Sequence, residues 1–247
     1  MYGLAKVHKD GVPVRPVLSM PGSAYHQIGE YVAGCLEKVP ECKINASSKL
    51  ISDKIGSTIL SKDKELVSFD VVSLYTNVPL QEAIEYCTTL LYEQPEELRP
   101  IMDRETFKIL CSVNVLMSTQ DRYYFQTDGL AMGSPPAPHF ANGWLSQFEN
   151  TIRENSDIYF RYMDDILQEL SKNECEKKLD ELNSLHPKLK FTIEREKEGE
   201  LAVLDMKIFH DHKIGALSSA WYKKLTDSGL IINYHALLSK QYKRSLV

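Results

Sequence analysis

Apolar positions change period several times along the chain, and each change marks an element. From Tyr25 to Leu36, and again from Leu50 to Leu60 with Ile51, Ile55 and Ile59, apolar residues recur at helical spacing. The opening "YGLAKVHKDGVPVRPVLS" reads instead as two short extended runs joined by an Asp10-Gly11 turn, with Pro13 and Pro16 holding the second run extended. Leu66–Leu74 is a short, mostly apolar strand interrupted by Asp70. Pro79 then opens a helix whose apolar face is Ala83, Ile84, Cys87, Leu90 and Leu91.

Arg122–Gln126 is strand-like, and 129–138 is a Gly/Pro-rich loop. Phe140, Trp144, Phe148 and Ile152 step by four along one further helix. The apolar run "IYFRYMDDIL" follows, then a charged amphipathic helix over 174–185, and "LKFTIERE" and "LAVLDMKIFH" as two more strands. This order predicts an α+β fold, a β-rich sheet with helices segregated to one face.

Composition adds bounds rather than identity. The 247 residues, 43% hydrophobic and 26% charged, suit an ordinary globular chain with a real core. No apolar run approaches the roughly 18 residues of a membrane span, and the N-terminus is no signal peptide. Five scattered cysteines without CxxC spacing fit a reducing compartment and argue against a disulfide frame or cysteine-bound structural zinc. The net charge of −5 is uneven. Residues 1–20 carry +2 and residues 205–247 carry +4, which leaves −11 in between. Basic ends flank an acidic centre.

The chemistry begins with the carboxylates. Asp164 and Asp165 sit inside an apolar run, where an unpaired charge is costly. A solvated turn, a buried ion pair or a cradle for a hard cation would each account for them. Neighbours in a strand point to opposite faces, so a tight hairpin at 162–165 is needed to bring one or both beside Asp70. Three clustered carboxylates repel one another unless a cation lies among them, and the second strand-borne aspartate tilts the reading toward a metal. Oxygen-only ligands suit Mg²⁺ or Mn²⁺, and a pair of such ions suits in-line phosphoryl displacement.

"FDVVSLYTNVP", "GLAMGSPPAP" and "FRYMDDIL", in that order, resemble palm motifs A, B and C of reverse transcriptases, and specifically the Penelope-like retroelement branch that groups with telomerase. "YGLAKVHK…VPVRPVLS" is similar to that branch's finger motifs. "LNSLHPKLKFTIERE…LAVLDMKIF" and "SAWYKKLTDSGLIINYHA" resemble its later palm and early thumb. The resemblance covers nearly the whole chain. It implies a right-hand polymerase palm: 1–60 and 86–118 fingers-like, 61–85 and 119–215 palm, 216–247 the start of a thumb.

The resemblance further implies RNA-directed DNA synthesis on two Mg²⁺ ions, with Mn²⁺ a possible substitute. Asp70, Asp164 and Asp165 would be catalytic, and together with the Val71 carbonyl would hold the metals. The partners implied are an RNA template, a DNA primer and deoxynucleoside triphosphates, with no membrane and no obligate protein partner. Arg15 would grip the triphosphate with help from Lys9 and, less directly, Lys6. Tyr75 would lie under the sugar and exclude a 2′-hydroxyl. Gly133 would shape the loop under the templating base, and Met163 would touch the primer end. Leu204, in a Leu204-Asp205 strand, would resemble the primer grip. Lys223, Lys224, Lys240, Lys243 and Arg244 would meet the duplex backbone. A nuclear location would follow from the family.

Several positions depart from the family pattern. Gly129 stands where many reverse transcriptases have glutamine, Pro136 stands where leucine is usual, Gly143 interrupts a helix, and the strand after Asp165 looks short. The chain opens within the fingers and stops inside the thumb, which reads as a fragment or decayed copy. A catalytically idle remnant that only binds nucleic acid is therefore the competing expectation; an RNA polymerase palm is a third, disfavoured by Tyr75. His210 and His212, with Asp205, could suggest a transition-metal site, but the two histidines alternate along a strand end and the reading preferred for them is a solvated loop.

Overall fold

The computed structural model describes residues 2–5, 11–43, 48–113, 116–119, 122–154, 156–223 and 237. Lys6, Lys9, Asp10, Lys224, Lys240, Lys243 and Arg244 lie outside the described residues.

Strands β1 (Tyr2–Ala5) and β2 (Val14–Val17) pair antiparallel, with Ala5 opposite Val14. The expected ribbon therefore forms, and Asp10 of the expected Asp10-Gly11 turn lies outside the described residues. Helices α1 (His26–Leu36) and α2 (Ser48–Gly56) precede the long strand β3 (Lys64–Val71). β3 ends before the expected Leu74 because Ser73 turns left-handed, φ 51°, into the short helix α3 (Leu74–Asn77). Helix α4 (Leu80–Glu93) starts at Pro79, whose fixed φ and missing N–H suit that position. Then come α5 (Arg104–Val113), the ribbon of β4 (Leu116–Thr119) with β5 (Arg122–Phe125), α6 (Ala137–Ser146) and α7 (Glu149–Arg153).

The single helix expected over Phe140–Ile152 is thus two. Side chains of the last turn of α6 cap its own carbonyls, Ser146 Oγ donating to Gly143 O (2.6 Å) and Gln147 Nε2 to Trp144 O (2.7 Å). The apolar spacing survives the break, and Phe140, Trp144 and Ile152 all remain buried.

The chain then runs through β6 (Tyr159–Tyr162), β7 (Asp165–Ser171), α8 (Cys175–Ser184), β8 (Phe191–Arg195), β9 (Glu200–Val203), β10 (Met206–Asp211) and β11 (Ala216–Trp221). The central sheet has the order β6-β7-β3-β8, antiparallel throughout. β7 is not short: it pairs with β3 from Ser171 opposite Lys64 to Asp165 opposite Asp70.

β3 is buried along nearly its whole length because both of its faces are covered. Val67, Phe69 and Val71, with Ile166 and Leu170 of β7 and Phe191 of β8, pack under α1, α4, α5, α6 and α8. Leu66 and Leu167 point the other way, into a smaller core with Ile51 and Ile55 of α2 and the sheet β11-β10-β9. Helices therefore cover one face, while α2 joins the second sheet on the other. "LAVLDMKIFH" is two strands rather than one, because Leu204 adopts φ 54° and reverses the chain so that Val203 faces Met206.

Gly143 is more than a weak point in α6. A Cβ there would stand 2.4 Å from Cys87 Sγ and 2.8 Å from Cys42 Sγ, so glycine lets α6 close onto α4. That approach offsets the roughly 1 kcal/mol helical cost of glycine.

Candidate active site

β6 and β7 form a two-residue hairpin, Tyr162 opposite Asp165, with Met163 and Asp164 at its tip. Met163 takes φ 57°, an uncommon conformation for a side-chain-bearing residue and one typical of tight hairpins. The hairpin is held against β3 by Val71 N–H, which donates to the Asp164 carbonyl (3.1 Å).

That bond fixes which residues come together. Asp70 and Asp165 are direct cross-strand partners. They flank the hydrogen-bonded Val71–Asp164 pair, so they occupy the adjoining non-bonded position, where opposed side chains approach most closely. Both project from the sheet face opposite Phe69 and Ile166, and Asp164 caps the turn beside them. All three are half-buried. Two carboxylates placed opposite each other destabilise a sheet unless positive charge lies nearby. The donors are all oxygen, the ligand type that a hard divalent cation takes. Val71, the last residue of β3, adjoins them.

Tyr75 sits in α3, immediately beyond β3. Leu130 N–H donates to the Tyr75 carbonyl (2.6 Å), tying the residue to the Gly/Pro-rich loop. Its ring packs against the helical core. Its phenol is pushed up to about 12, first by burial, then by the negative charge of Asp164, against the opposing pull of the Arg15 guanidinium, with Tyr162 a further raising influence. Tyr75 therefore feels both the Asp164 carboxylate and the Arg15 guanidinium. Arg15 itself is exposed, in β2 opposite Leu4.

The loop glycines have steric causes. Gly129 has φ 77°, and a Cβ would stand 2.8 Å from the Thr76 carbonyl oxygen. Glutamine does not fit at this backbone, which accounts for the departure noted in the sequence. Gly133 has φ 97°, and a Cβ would stand 2.2 Å from the Leu18 carbonyl oxygen. Leu18 N–H donates to Met132 O (2.8 Å), so the end of the β1-β2 ribbon lies directly on this loop.

Of the strand-contact candidates, Met163 is buried at the hairpin tip. Leu204 lies in a turn rather than a strand, packed against the second core. Tyr222 N–H donates to Asp205 O (2.8 Å), and this brings exposed Lys223 next to the Leu204-Asp205 turn.

Sequence reading missed Arg161. It is buried and points to the helical side of β6. Nε and Nη2 bond Glu149 Oε2 (2.9 and 2.8 Å), Nη1 bonds Asn142 Oδ1 (2.8 Å), and Nη1 also reaches the Met163 carbonyl (3.4 Å). Tyr159 donates to the other Glu149 oxygen (2.6 Å). A buried guanidinium thus clamps the turn that carries Asp164. The signal was available: alternation places the charge of "FRYMDD" inward, where it needs a carboxylate.

His210 is not in a solvated loop, and Asp205 is not its neighbour. Asp205 accepts from Ser48 Oγ at the other end of β10, whereas His210 is buried against Glu196.

Among the described residues, no helix is long and apolar enough to cross a membrane. No curated protein matches the sequence. The fold is similar to telomerase of Candida tropicalis truncated from its C-terminal domain, at TM-score 0.54 and 14% identity, over 80% of this chain and 44% of that one. It is also similar to Candida albicans telomerase in complex with the TWJ fragment of telomeric RNA, at TM-score 0.57 and 12% identity, over 79% and 39%. The chain therefore spans less than half the length of the telomerases it matches. The family model for reverse transcriptase (RNA-dependent DNA polymerase) matches residues 7–208. With that match over most of its length, and a fold shared with telomerase, this chain belongs to the reverse transcriptase family.

Proposed function

We propose that the chain is an RNA-directed DNA polymerase of the Penelope-like, telomerase-related branch, extending a DNA primer on an RNA template with deoxynucleoside triphosphates. The observation that carries this reading is the pairing of Asp70 with Asp165 beside the Asp164 turn. Asp70, Asp164 and Asp165, with the Val71 carbonyl, would hold two Mg²⁺ ions, or Mn²⁺ in their place. Bound there, divalent ions supply activation of the primer 3′-hydroxyl and charge stabilisation on the departing pyrophosphate.

The protein's own residues supply position and selection. Arg15, always charged and able to bond phosphate oxygens through two N–H groups, orients the triphosphate. Lys9 adds a second cation to that grip. Tyr75, anchored through its carbonyl to Leu130, presents a rigid ring beside Asp164 and rejects a 2′-hydroxyl by clash. Gly133 lets the backbone approach the templating base, and Met163 meets the primer terminus. Leu204 and Lys223, adjacent at one end of the second sheet, meet the duplex, and Lys224 extends that contact. Such backbone contacts are independent of sequence and weaken with salt.

Extension of a DNA primer on an RNA template with Mg²⁺, comparing the chain with Asp164→Ala, tests the reading. Incorporation that the substitution abolishes supports it. Equal incorporation by both proteins overturns it, and binding without incorporation by either favours an idle nucleic-acid-binding domain.

A further inference from the structure

At the far end of β3 from Asp70, a second cluster of ligand-type side chains has no part in the polymerase reading. His210 lies in β10 and His212 just beyond it. They are two residues apart, so they share a face of the extended chain. Glu196 reaches them from the end of β8. Its side chain is 5% exposed and that of His210 is 2%, whereas His212 is 47% exposed. A carboxylate buried this deeply needs positive charge or a cation beside it.

The spacing is that of a coordination shell. His210 Nδ1 stands 3.0 Å from Glu196 Oε1, and His212 Nε2 stands 3.6 Å from the same oxygen. With bonds of roughly 2.0–2.1 Å, two donors on a tetrahedral Zn²⁺ stand about 3.3 Å apart. The two observed separations straddle that value. All three donor atoms lie within 4.8 Å of one another, and the imidazole centroids are 4.1 Å apart.

The surroundings hold the donors in place. Glu196 Oε2 accepts from Leu66 N–H (3.4 Å), anchoring the carboxylate to β3. Gly199, at φ 77°, accepts at its carbonyl from His210 N–H (2.7 Å). A Cβ on Gly199 would stand 2.5 Å from His210 O, so glycine lets the 199 backbone close onto the strand that carries His210. His210 also lines an open cleft of about 350 Å³ with Glu198, Gly199, Glu200 and Asp211, an acidic approach for a cation.

We propose that Glu196, His210 and His212 form a binding site for a zinc-class divalent ion, distinct from the aspartate site. Two imidazoles and one carboxylate are borderline donors that suit Zn²⁺ or Co²⁺ better than Mg²⁺. Leu66 and Asp70 are four residues apart on one strand, about 13 Å at the usual rise, so the two sites do not share an ion. Three protein donors leave a fourth position for water. The ion acts as a staple, joining the end of β8 to the end of β10.

The test is a titration of the full chain with Co²⁺, read by the visible ligand-field bands of tetrahedral cobalt, followed by competition with Zn²⁺ alone. One ion per chain should give the tetrahedral bands, Zn²⁺ should abolish them, and Asp70→Asn/Asp164→Asn should show them unchanged. Because His212 is half-exposed, His212→Ala should fold and melt like the parent without metal. It should lose affinity at least tenfold, as should Glu196→Gln, and Zn²⁺ should no longer raise its melting temperature. Equal Co²⁺ binding by the parent and His212→Ala overturns the proposal. So does an absence of tetrahedral bands in the parent, which would leave the cluster a histidine–carboxylate hydrogen bond.

Discussion

Asp70 and Asp165 face each other directly across β3 and β7, one step from the Val71–Asp164 hydrogen bond that locks the hairpin against the central strand. Two side chains 95 positions apart in sequence are thereby opposed by backbone register alone. Register is set by the apolar faces on either side. A one-residue slip of β7 would exchange Ile166 and Leu167 between the two cores, each of which is packed around the residue it holds.

Arg161 offers a separable test of how the hairpin is held. Removing one partner of a buried ion pair leaves the other charged and unpaired, typically costing about 3–5 kcal/mol. Arg161→Met and Glu149→Gln should each destabilise the chain by an amount of that order in urea unfolding. The double variant should cost clearly less than the sum of the two. Strict additivity would show that the pair is not coupled.

Tyr75 has two measurable properties. Tyr75→Ala should admit ribonucleotides, whereas Tyr75→Phe, which keeps the ring, should not; unchanged sugar discrimination in Tyr75→Ala would remove the ring from that role. The phenol, raised from its usual 10 to about 12, holds its proton more tightly in the folded state. Its contribution to stability is complete below about pH 10 and is lost as pH rises toward 12. Urea unfolding of Tyr75→Phe should therefore decline less steeply than that of the parent across this window. Identical slopes would contradict the buried, Asp164-facing phenol.

Much of this site is written in short contiguous runs. Asp70, Tyr75, Gly133 and the Asp164-Asp165 pair each lie within an uninterrupted motif, and local period tells which run is strand and which is loop. Partners supplied by other elements were not legible. Arg161 finds Glu149 on α7, and His210 finds Glu196 from β8 rather than the sequence-adjacent Asp205. The turn at Leu204 was hidden because apolar alternation runs on through "LAVLDMKIF" while the backbone reverses. The steric need for Gly129 depends on the Thr76 carbonyl, which no reading of the chain around Gly129 supplies.

Gly129→Gln, which installs the residue many reverse transcriptases carry, should be harmful here. The left-handed backbone and the 2.8 Å approach to Thr76 O require the loop to shift, at roughly 1–3 kcal/mol. Since Leu130 anchors Tyr75, weakened nucleotide selection should accompany the lowered stability. Unchanged melting and selection would contradict the packing described.

Lys223 is exposed beside the Leu204-Asp205 turn. If it meets a phosphate, Lys223→Gln should lower the slope of log affinity against log salt by about 1, with equal effect on duplexes of unrelated sequence. An unaltered slope would remove it from the interface.

The central claim is that three carboxylates act as one cation site. Mn²⁺ binding followed by electron paramagnetic resonance, in the presence of a deoxynucleoside triphosphate, reads that site directly. Asp70→Asn, Asp164→Asn and Asp165→Asn should each weaken the same bound Mn²⁺ signal by at least about tenfold, the loss expected when a charged ligand is neutralised. Mn²⁺ binding that survives intact in all three variants would contradict the account.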